Sequence, residues 1–149
     1  MQAVIFIGAQ ASGKSTFFKE RFFDTHVRIN LDMLRTRHRE KVLLDACLAA
    51  KQSFVVDNTN PTPADRQRYI VAAKQAGFEV VGYFFEAKIE ALLQRNRQRE
   101  GSQRIPVGGV WRTYNVLQTP TFAEGFDKLY FVRVGAHGQF EVEEQLDEA

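Results

Sequence analysis

One cysteine in 149 residues, Cys47, allows no intramolecular disulfide and no cysteine quartet for structural zinc. The three histidines, His26, His38 and His137, are scattered without metal-ligand spacing, so a histidine-built metal centre is not expected either. No apolar run approaches the roughly 20 residues that span a bilayer. The run Val4–Ile7 is too short for a signal peptide and lacks a preceding cationic segment, and the expectation is a cytoplasmic protein with no membrane partner. Gly/Ser linkers, low-complexity tracts and internal repeats are absent, so a chain of this length reads as one fold unit. Apolar residues at 44% and charged residues at 26% are those of a packed domain rather than a disordered one.

Charge is unevenly spread. The eleven residues from Gln139 onward hold Glu141, Glu143, Glu144, Asp147 and Glu148 without a single cation, so residues 1–138 carry +7 while the whole chain carries +2. The division expected is a body over 1–138 and an acidic C-terminal tail over 139–149, the tail either an extension or a short last strand around Phe140 and Val142. Six cations of the body fall in two clusters, Arg35-Arg37-Arg39 and Arg95-Arg97-Arg99. Such clusters suit a polyanionic ligand, although arginines on amphipathic helices also simply face water.

Short β-branched and aromatic runs recur at Val4–Ile7, Val27–Asn30, Phe54–Asp57, Phe78–Phe85 and Leu129–Val134, separated by helix-compatible segments. Nearly continuous apolar strands alternating with helices predict an α/β fold with a parallel sheet buried on both faces. The helix between the third and fourth runs is fully punctuated. Thr62 is its N-cap, Pro63 lies in the first turn, Asp65 closes a capping box, and Gly77 stops it after Ala76. Cys47, at helical spacing from Leu43 and Leu44, reads as a small core residue. A break is expected at Gly101-Ser102, after the second arginine cluster.

The segment Gly8-Ala9-Gln10-Ala11-Ser12-Gly13-Lys14-Ser15 matches G-x-x-x-x-G-K-[ST] between a predicted strand and a predicted helix. The backbone amides of Gly8, Ala11, Ser12 and Gly13 would cradle phosphate oxygens at the positive end of a helix dipole. Lys14 would bridge the β- and γ-phosphates, Ser15 would ligate Mg²⁺, and Thr16 would donate to the α-phosphate. ATP with Mg²⁺ is therefore the expected ligand. No N-K-x-D guanine reader occurs, and a mechanical ATPase belongs to larger assemblies, so a small phosphotransferase is favoured.

Asp32 follows the second strand with Arg35 three residues on, on the same side of a helix start. A carboxylate there could orient an attacking hydroxyl and take its proton, while the guanidinium grips an anionic part of the acceptor. The plainer alternative is a dipole-complementing pair worth a few tenths of a kcal/mol. Asp57 ends the third strand in the manner of a Walker B carboxylate that reaches Mg²⁺ directly or through water. Asn58, Thr59 and Asn60 behind it can bond neighbouring loops or simply form a turn. Arg95 and Arg99, four apart, face one way and suit a lid closing on ATP; Arg97 points elsewhere.

Taken in order, GAQASGKST, NLDMLR, VVDNTNPTPADRQRY, QRNRQRE, IPVGGVWRTY and PTFAEGF resemble the kinase domain of polynucleotide 5′-kinases, both the phage enzyme and the animal kinase/phosphatase. The resemblance runs from residue 4 to about 134. It implies a P-loop three-layer sandwich with a five-stranded parallel sheet, order 2-3-1-4-5, and an arginine-rich helical lid. It also implies ATP-dependent phosphorylation of a 5′-hydroxyl on DNA or RNA. By position, Asp32 resembles the general base and Arg35 the residue holding the acceptor's phosphate. Lys14, Ser15 and Thr16 resemble the ATP and Mg²⁺ group, and Arg99, with Arg95, the lid arginine. Asp57 follows the animal pattern, whereas the phage aspartate falls one place later, opposite Asn58. No Asp-x-Asp occurs, so 3′-phosphatase activity is not expected, and no nick-recognition or ligase module is expected in these residues. A kinase of a small-molecule hydroxyl, and a module that binds ATP without transferring phosphate, are the competing readings.

Overall fold

The computed structural model describes residues 1–101 and 104–147, so Ser102 and Glu148, named above in the break and the tail, lie outside the described residues. In chain order the elements are β1 (Gln2–Ile7), α1 (Lys14–Arg21), β2 (Val27–Ile29), α2 (Leu31–Leu34), α3 (Arg37–Ala50), β3 (Phe54–Val56), α4 (Pro63–Gln75), β4 (Glu79–Phe85), α5 (Ile89–Gln98), α6 (Val107–Val116), β5 (Lys128–Val134) and β6 (Phe140–Gln145). A single 3₁₀ turn covers Phe122–Glu124.

The strands form one sheet in the order β2-β3-β1-β4-β5-β6. The first five are parallel in the 2-3-1-4-5 order, and the architecture is that of an α/β P-loop kinase. The count is a correction: the sheet has six strands rather than five. Residues Phe140–Gln145 add an antiparallel edge strand to β5, with Val132 opposite Val142 and Val134 opposite Phe140. A tight reversal through Gly135–Gln139 permits this, because antiparallel neighbours need only a short turn where parallel ones need a crossover. The glutamates of β6 lie along this solvated edge, where like charges discourage further strand pairing.

Alternation in β1 shows why its run is continuously apolar. Ala3, Ile5 and Ile7 pack on one face with Tyr69, Ile70 and Ala73 of α4 and with Leu44 and Cys47 of α3. Val4 and Phe6 point to the other, against Phe17, Phe18 and Phe22 beside α1. The second face is an aromatic cluster, in which the Phe6 ring lies 5.0 Å from Phe85 and 5.7 Å from Phe22, both edge-on. Such pairs add about 0.5–1.5 kcal/mol each beyond their buried area.

The punctuation of α4 is realised as read. Thr62 Oγ1 accepts from the Asp65 amide, and Asp65 Oδ2 accepts in return from the Thr62 amide at 3.1 Å. A third apolar group, Ala9, Ile89, Leu92 and Val110, ties α5 and α6 to the β1–α1 loop. The loops after β1, β2 and β3 thus gather at the carboxyl edge of the sheet, where open α/β sheets bind ligands.

Candidate active site

The loop after β1 turns so tightly that side chains are excluded at its two ends. A Cβ on Gly8 would stand 2.9 Å from both Phe85 Cβ and Ser12 Oγ, and Gly13 adopts φ +99°, a conformation that L side chains rarely take. Between them Ala11 sits at φ +67° without that licence. Strain of this kind, about 1–3 kcal/mol, persists where the surroundings over-determine the backbone. Here the Arg95 guanidinium donates to the Ala11 carbonyl at 3.1 Å, and Gln10 Nε2 donates to Thr113 Oγ1 of α6 at 3.0 Å. Elements α5 and α6 therefore both rest on the loop.

Lys14 folds back across it. Its ammonium donates to the carbonyls of Gly8 at 2.9 Å and Ala9 at 2.8 Å. Burial pulls its pKa from 10.5 down to about 8; Asp57 and Asp32 oppose that fall while Arg99 deepens it. Two consequences have definite signs. Between pH 8 and 10.5 the unfolded chain holds this proton more firmly than the folded one, so the ligand-free protein gains stability as pH rises through that window. A phosphate ligand needs the ammonium, so affinity falls above pH 8 and binding at that pH takes up about half a proton. Calorimetric titration of ATP in two buffers of different ionisation enthalpy measures the uptake directly; no buffer dependence at pH 8 would contradict it.

Ser15 begins α1 with its hydroxyl 3.0 Å from Asp57 Oδ2, at the end of β3. Asp57 is almost wholly buried at 1% exposure. A residue that sequence reasoning missed closes this pair into a triangle: Arg28 Nε donates to Asp57 Oδ2 at 2.9 Å and Arg28 Nη2 to Ser15 Oγ at 3.0 Å. Alternation along Val27-Arg28-Ile29 accounts for its direction once the sheet is in place. With its two neighbours packed towards α3 and α4, the cation between them must face α1 and needs a carboxylate there. Ser15 and Asp57 supply the hard oxygen donors that Mg²⁺ takes. Among the described residues no group of three or more His, Cys, Asp or Glu converges, so such an ion would complete its shell from phosphate oxygens and water.

The next loop is held from below by the DNTN run. Asn30 caps α2, accepting from the Met33 amide at 2.9 Å, and its amide group donates to the Asp57 carbonyl. Asn58 Oδ1 accepts from the Leu31 amide at 2.9 Å, and Asn58 Nδ2 donates to Glu40 at 3.0 Å. Glu40 is buried and is also bound by the Tyr69 hydroxyl and by Arg37. Asn60, at φ +45°, both turns the chain and donates to the Phe6 carbonyl at 2.8 Å. Asp32 and Arg35 ride on this platform, both exposed, with Arg35 at φ +77° closing the one-turn helix. Neither side chain of the pair is tied down by packing.

Across the cradle, Arg95 and Arg99 are half-buried on α5 and its C-cap, whereas Arg97 is exposed. Burial pulls the Arg99 guanidinium below its ordinary pKa while Asp32 pulls it up, and burial alone lowers Arg95. Asp32, Lys14 and Arg99 accordingly share one electrostatic environment. Thr16 is exposed on the first turn of α1. Asn96 pins the segment beyond α5, exchanging two hydrogen bonds with the backbone of Ile105.

Two further residues escaped sequence reasoning. Arg66, fully buried, donates to both carboxylate oxygens of Glu124, at 3.0 and 3.1 Å, and to the carbonyls of Asn60, Pro61 and Gln118. It thereby joins the segments VVDNTNPTPADRQRY and PTFAEGF. Its place on the face of Tyr69, Ile70 and Ala73 was the available signal, since a charge on an apolar helical face demands a partner.

A family model for the AAA domain matches residues 4–112. The chain is 28% identical over 130 residues to the bifunctional polynucleotide phosphatase/kinase of Schizosaccharomyces pombe, an alignment covering 84% of this chain and 32% of that protein. A protein of Acanthamoeba polyphaga mimivirus described in like terms is 29% identical over 137 residues, with 86% of this chain and 32% of the other covered. The chain thus spans about a third of the length of these curated relatives. Among solved structures, a gluconokinase from Sinorhizobium meliloti superposes with a TM-score of 0.62 at 17% identity, covering 89% of this chain and 82% of that one, a likeness of fold.

Proposed function

From the premise that the chain belongs to the AAA-domain family, as a P-loop kinase-like domain, we propose that it transfers the γ-phosphate of ATP to a 5′-hydroxyl of DNA or RNA. The observation carrying this reading is the shared environment of Lys14, Asp32 and Arg99. It supports a donor phosphate held between Lys14 and Arg99, with the Asp32 carboxylate near enough for its charge to act on both cations. The polynucleotide kinase names of the curated relatives support the acceptor.

In this mechanism the loop amides and Lys14 hold the triphosphate. Asp32 orients the 5′-hydroxyl and accepts its proton as the oxygen bonds to the γ-phosphorus. The bond from that phosphorus to the β–γ bridging oxygen breaks and ADP departs. Arg99, with Arg95, neutralises charge on the transferring group, and Arg35 holds the phosphate next to the acceptor nucleoside. Mg²⁺ bound at Ser15 and Asp57 would supply further charge neutralisation. A cleft of about 810 Å³ bounded by Lys88, Arg95, Tyr114 and Val134 offers room for the nucleoside of ATP.

The test is transfer of labelled γ-phosphate to 5′-hydroxyl DNA, RNA, mononucleosides and a neutral sugar over a series of salt concentrations. A basic body of +7 predicts that transfer to oligonucleotides weakens with salt, with a log–log slope of about −0.7 per phosphate contacted on a single strand. Transfer to the small acceptors alone, insensitive to salt, would move the acceptor to a small-molecule hydroxyl. ATP binding with no product from any acceptor would overturn transfer altogether.

A further inference from the structure

The triangle of Arg28, Ser15 and Asp57 has a property that the phosphotransferase reading leaves unused. The two oxygens that would take the metal ion, Ser15 Oγ and Asp57 Oδ2, are already bound by a cation of the protein itself. We propose that Arg28 is an intramolecular place-holder for the metal ion: it neutralises Asp57 in the ligand-free cradle and gives up the Ser15 and Asp57 oxygens when the metal–nucleotide complex enters. The inference rests on the reading that this cradle takes a metal-bound nucleoside triphosphate.

Each part of the geometry bears on it. Both contacts of Arg28 are short, 2.9 Å to Asp57 Oδ2 and 3.0 Å to Ser15 Oγ, and Ser15 Oγ stands 3.0 Å from that same carboxylate oxygen. A divalent ion taking those oxygens directly would meet a guanidinium within hydrogen-bonding distance of both, and like charges in a poorly solvated corner repel strongly. Asp57 is 1% exposed, and a buried carboxylate without a counter-ion is costly, so some cation must attend it when no metal is bound. Arg28 can leave. Its side chain is 29% exposed, on the edge strand β2, with solvent beside it. Lys14 makes the parallel arrangement, its ammonium lodged on the Gly8 and Ala9 carbonyls, so both cations of the cradle bind the protein while awaiting phosphate.

The place-holder lowers metal affinity, because the ion must displace two charge-assisted hydrogen bonds. It also makes Arg28 a determinant of metal response rather than of acceptor choice. The opposing possibility is a supporting role, in which Arg28 keeps its bonds and orients Asp57 around a metal held through water. The two predict opposite signs when the cation is removed.

The experiment is Mn²⁺ binding, followed by loss of the free-ion electron paramagnetic resonance signal, in the presence of the β,γ-imido analogue of ATP. Wild-type protein is compared with Arg28→Gln and Arg28→Lys, each checked for native circular dichroism. Arg28→Gln should bind Mn²⁺ about tenfold more tightly or better, as expected when the ion no longer displaces the two charge-assisted hydrogen bonds. Arg28→Lys, which keeps the charge, should stay near wild type. The rise in melting temperature on adding Mn²⁺ and the analogue should also be larger for Arg28→Gln, whose Asp57 has lost its ion-pair partner and keeps only the Ser15 hydroxyl until the ion arrives. Equal or weaker Mn²⁺ binding by Arg28→Gln, with wild-type binding intact, overturns the place-holder and leaves the phosphotransferase reading standing. No analogue-dependent Mn²⁺ binding by any of the proteins overturns both.

Discussion

Replacing Asp32 by Ala should lower phosphate transfer by about 10²–10⁴-fold, the range typical of losing a positioned general base, while the affinity for ATP changes little. The separation of the two effects follows from where Asp32 sits. It is exposed on α2, outside the loop after β1, and its charge acts on Lys14 of that loop. That field has a measurable signature. Asp32 raises the pKa of Lys14 and of Arg99, so its removal should move the proton uptake on ATP binding to a lower pH. Single-turnover transfer, with calorimetric ATP binding run alongside, checks both. Undiminished transfer by the Asp32→Ala protein would remove Asp32 from the chemistry. A parallel loss of ATP binding would make it part of the nucleotide grip instead.

The largest effect on stability should come from Arg66→Met. The side chain is fully buried, and its removal leaves the Glu124 carboxylate without its counter-ion, bonded to the Thr121 amide, and takes a donor from the carbonyls of Asn60, Pro61 and Gln118. Breaking a buried pair from one side costs about 3–5 kcal/mol because the remaining charge stays unpaired. Against a total of about 5–15 kcal/mol that loss is severe, and for a chain of this size it corresponds to a fall in melting temperature of about 10 °C or more. Adding Glu124→Gln should recover part of it, since the stranded charge then disappears. Thermal unfolding of the single and double variants decides the matter; a double variant less stable than Arg66→Met would show that the charge of Glu124 serves its 2.9 Å bond from the Thr121 amide by more than its unpaired burial costs.

The legible parts of this protein were those encoded locally. The phosphate cradle announces itself because its glycines answer to backbone geometry, and the start of α4 because a cap needs only four consecutive residues. The parallel strands were visible because burial on both faces leaves no polar alternation. Three features were not readable from neighbours in sequence. Arg66 and Glu124 are 58 residues apart, and their pairing depends on how the turn at Phe122–Glu124 packs against α4. Asn58, read as able to bond a neighbouring loop, supports Leu31 from the bend after β3, 27 positions on, and only the folded sheet shows which loop it reaches. Arg28 belongs to a three-residue strand, too short to display a period, so its direction is fixed only by the sheet around it. The sixth strand was legible only as one of two alternatives for the tail, because glutamates dominate a segment whose Phe140 and Val142 alone mark it as β.

The ring of Phe140 lies 5.0 Å from that of Phe17 and would be 3.0 Å from any Cβ placed on Gly13. The last strand therefore forms a wall of the phosphate-holding loop, although the two are separated by more than a hundred residues. A change at this outermost strand therefore reaches the far end of the chain directly, through the Phe140 ring seated against Phe17 and Gly13.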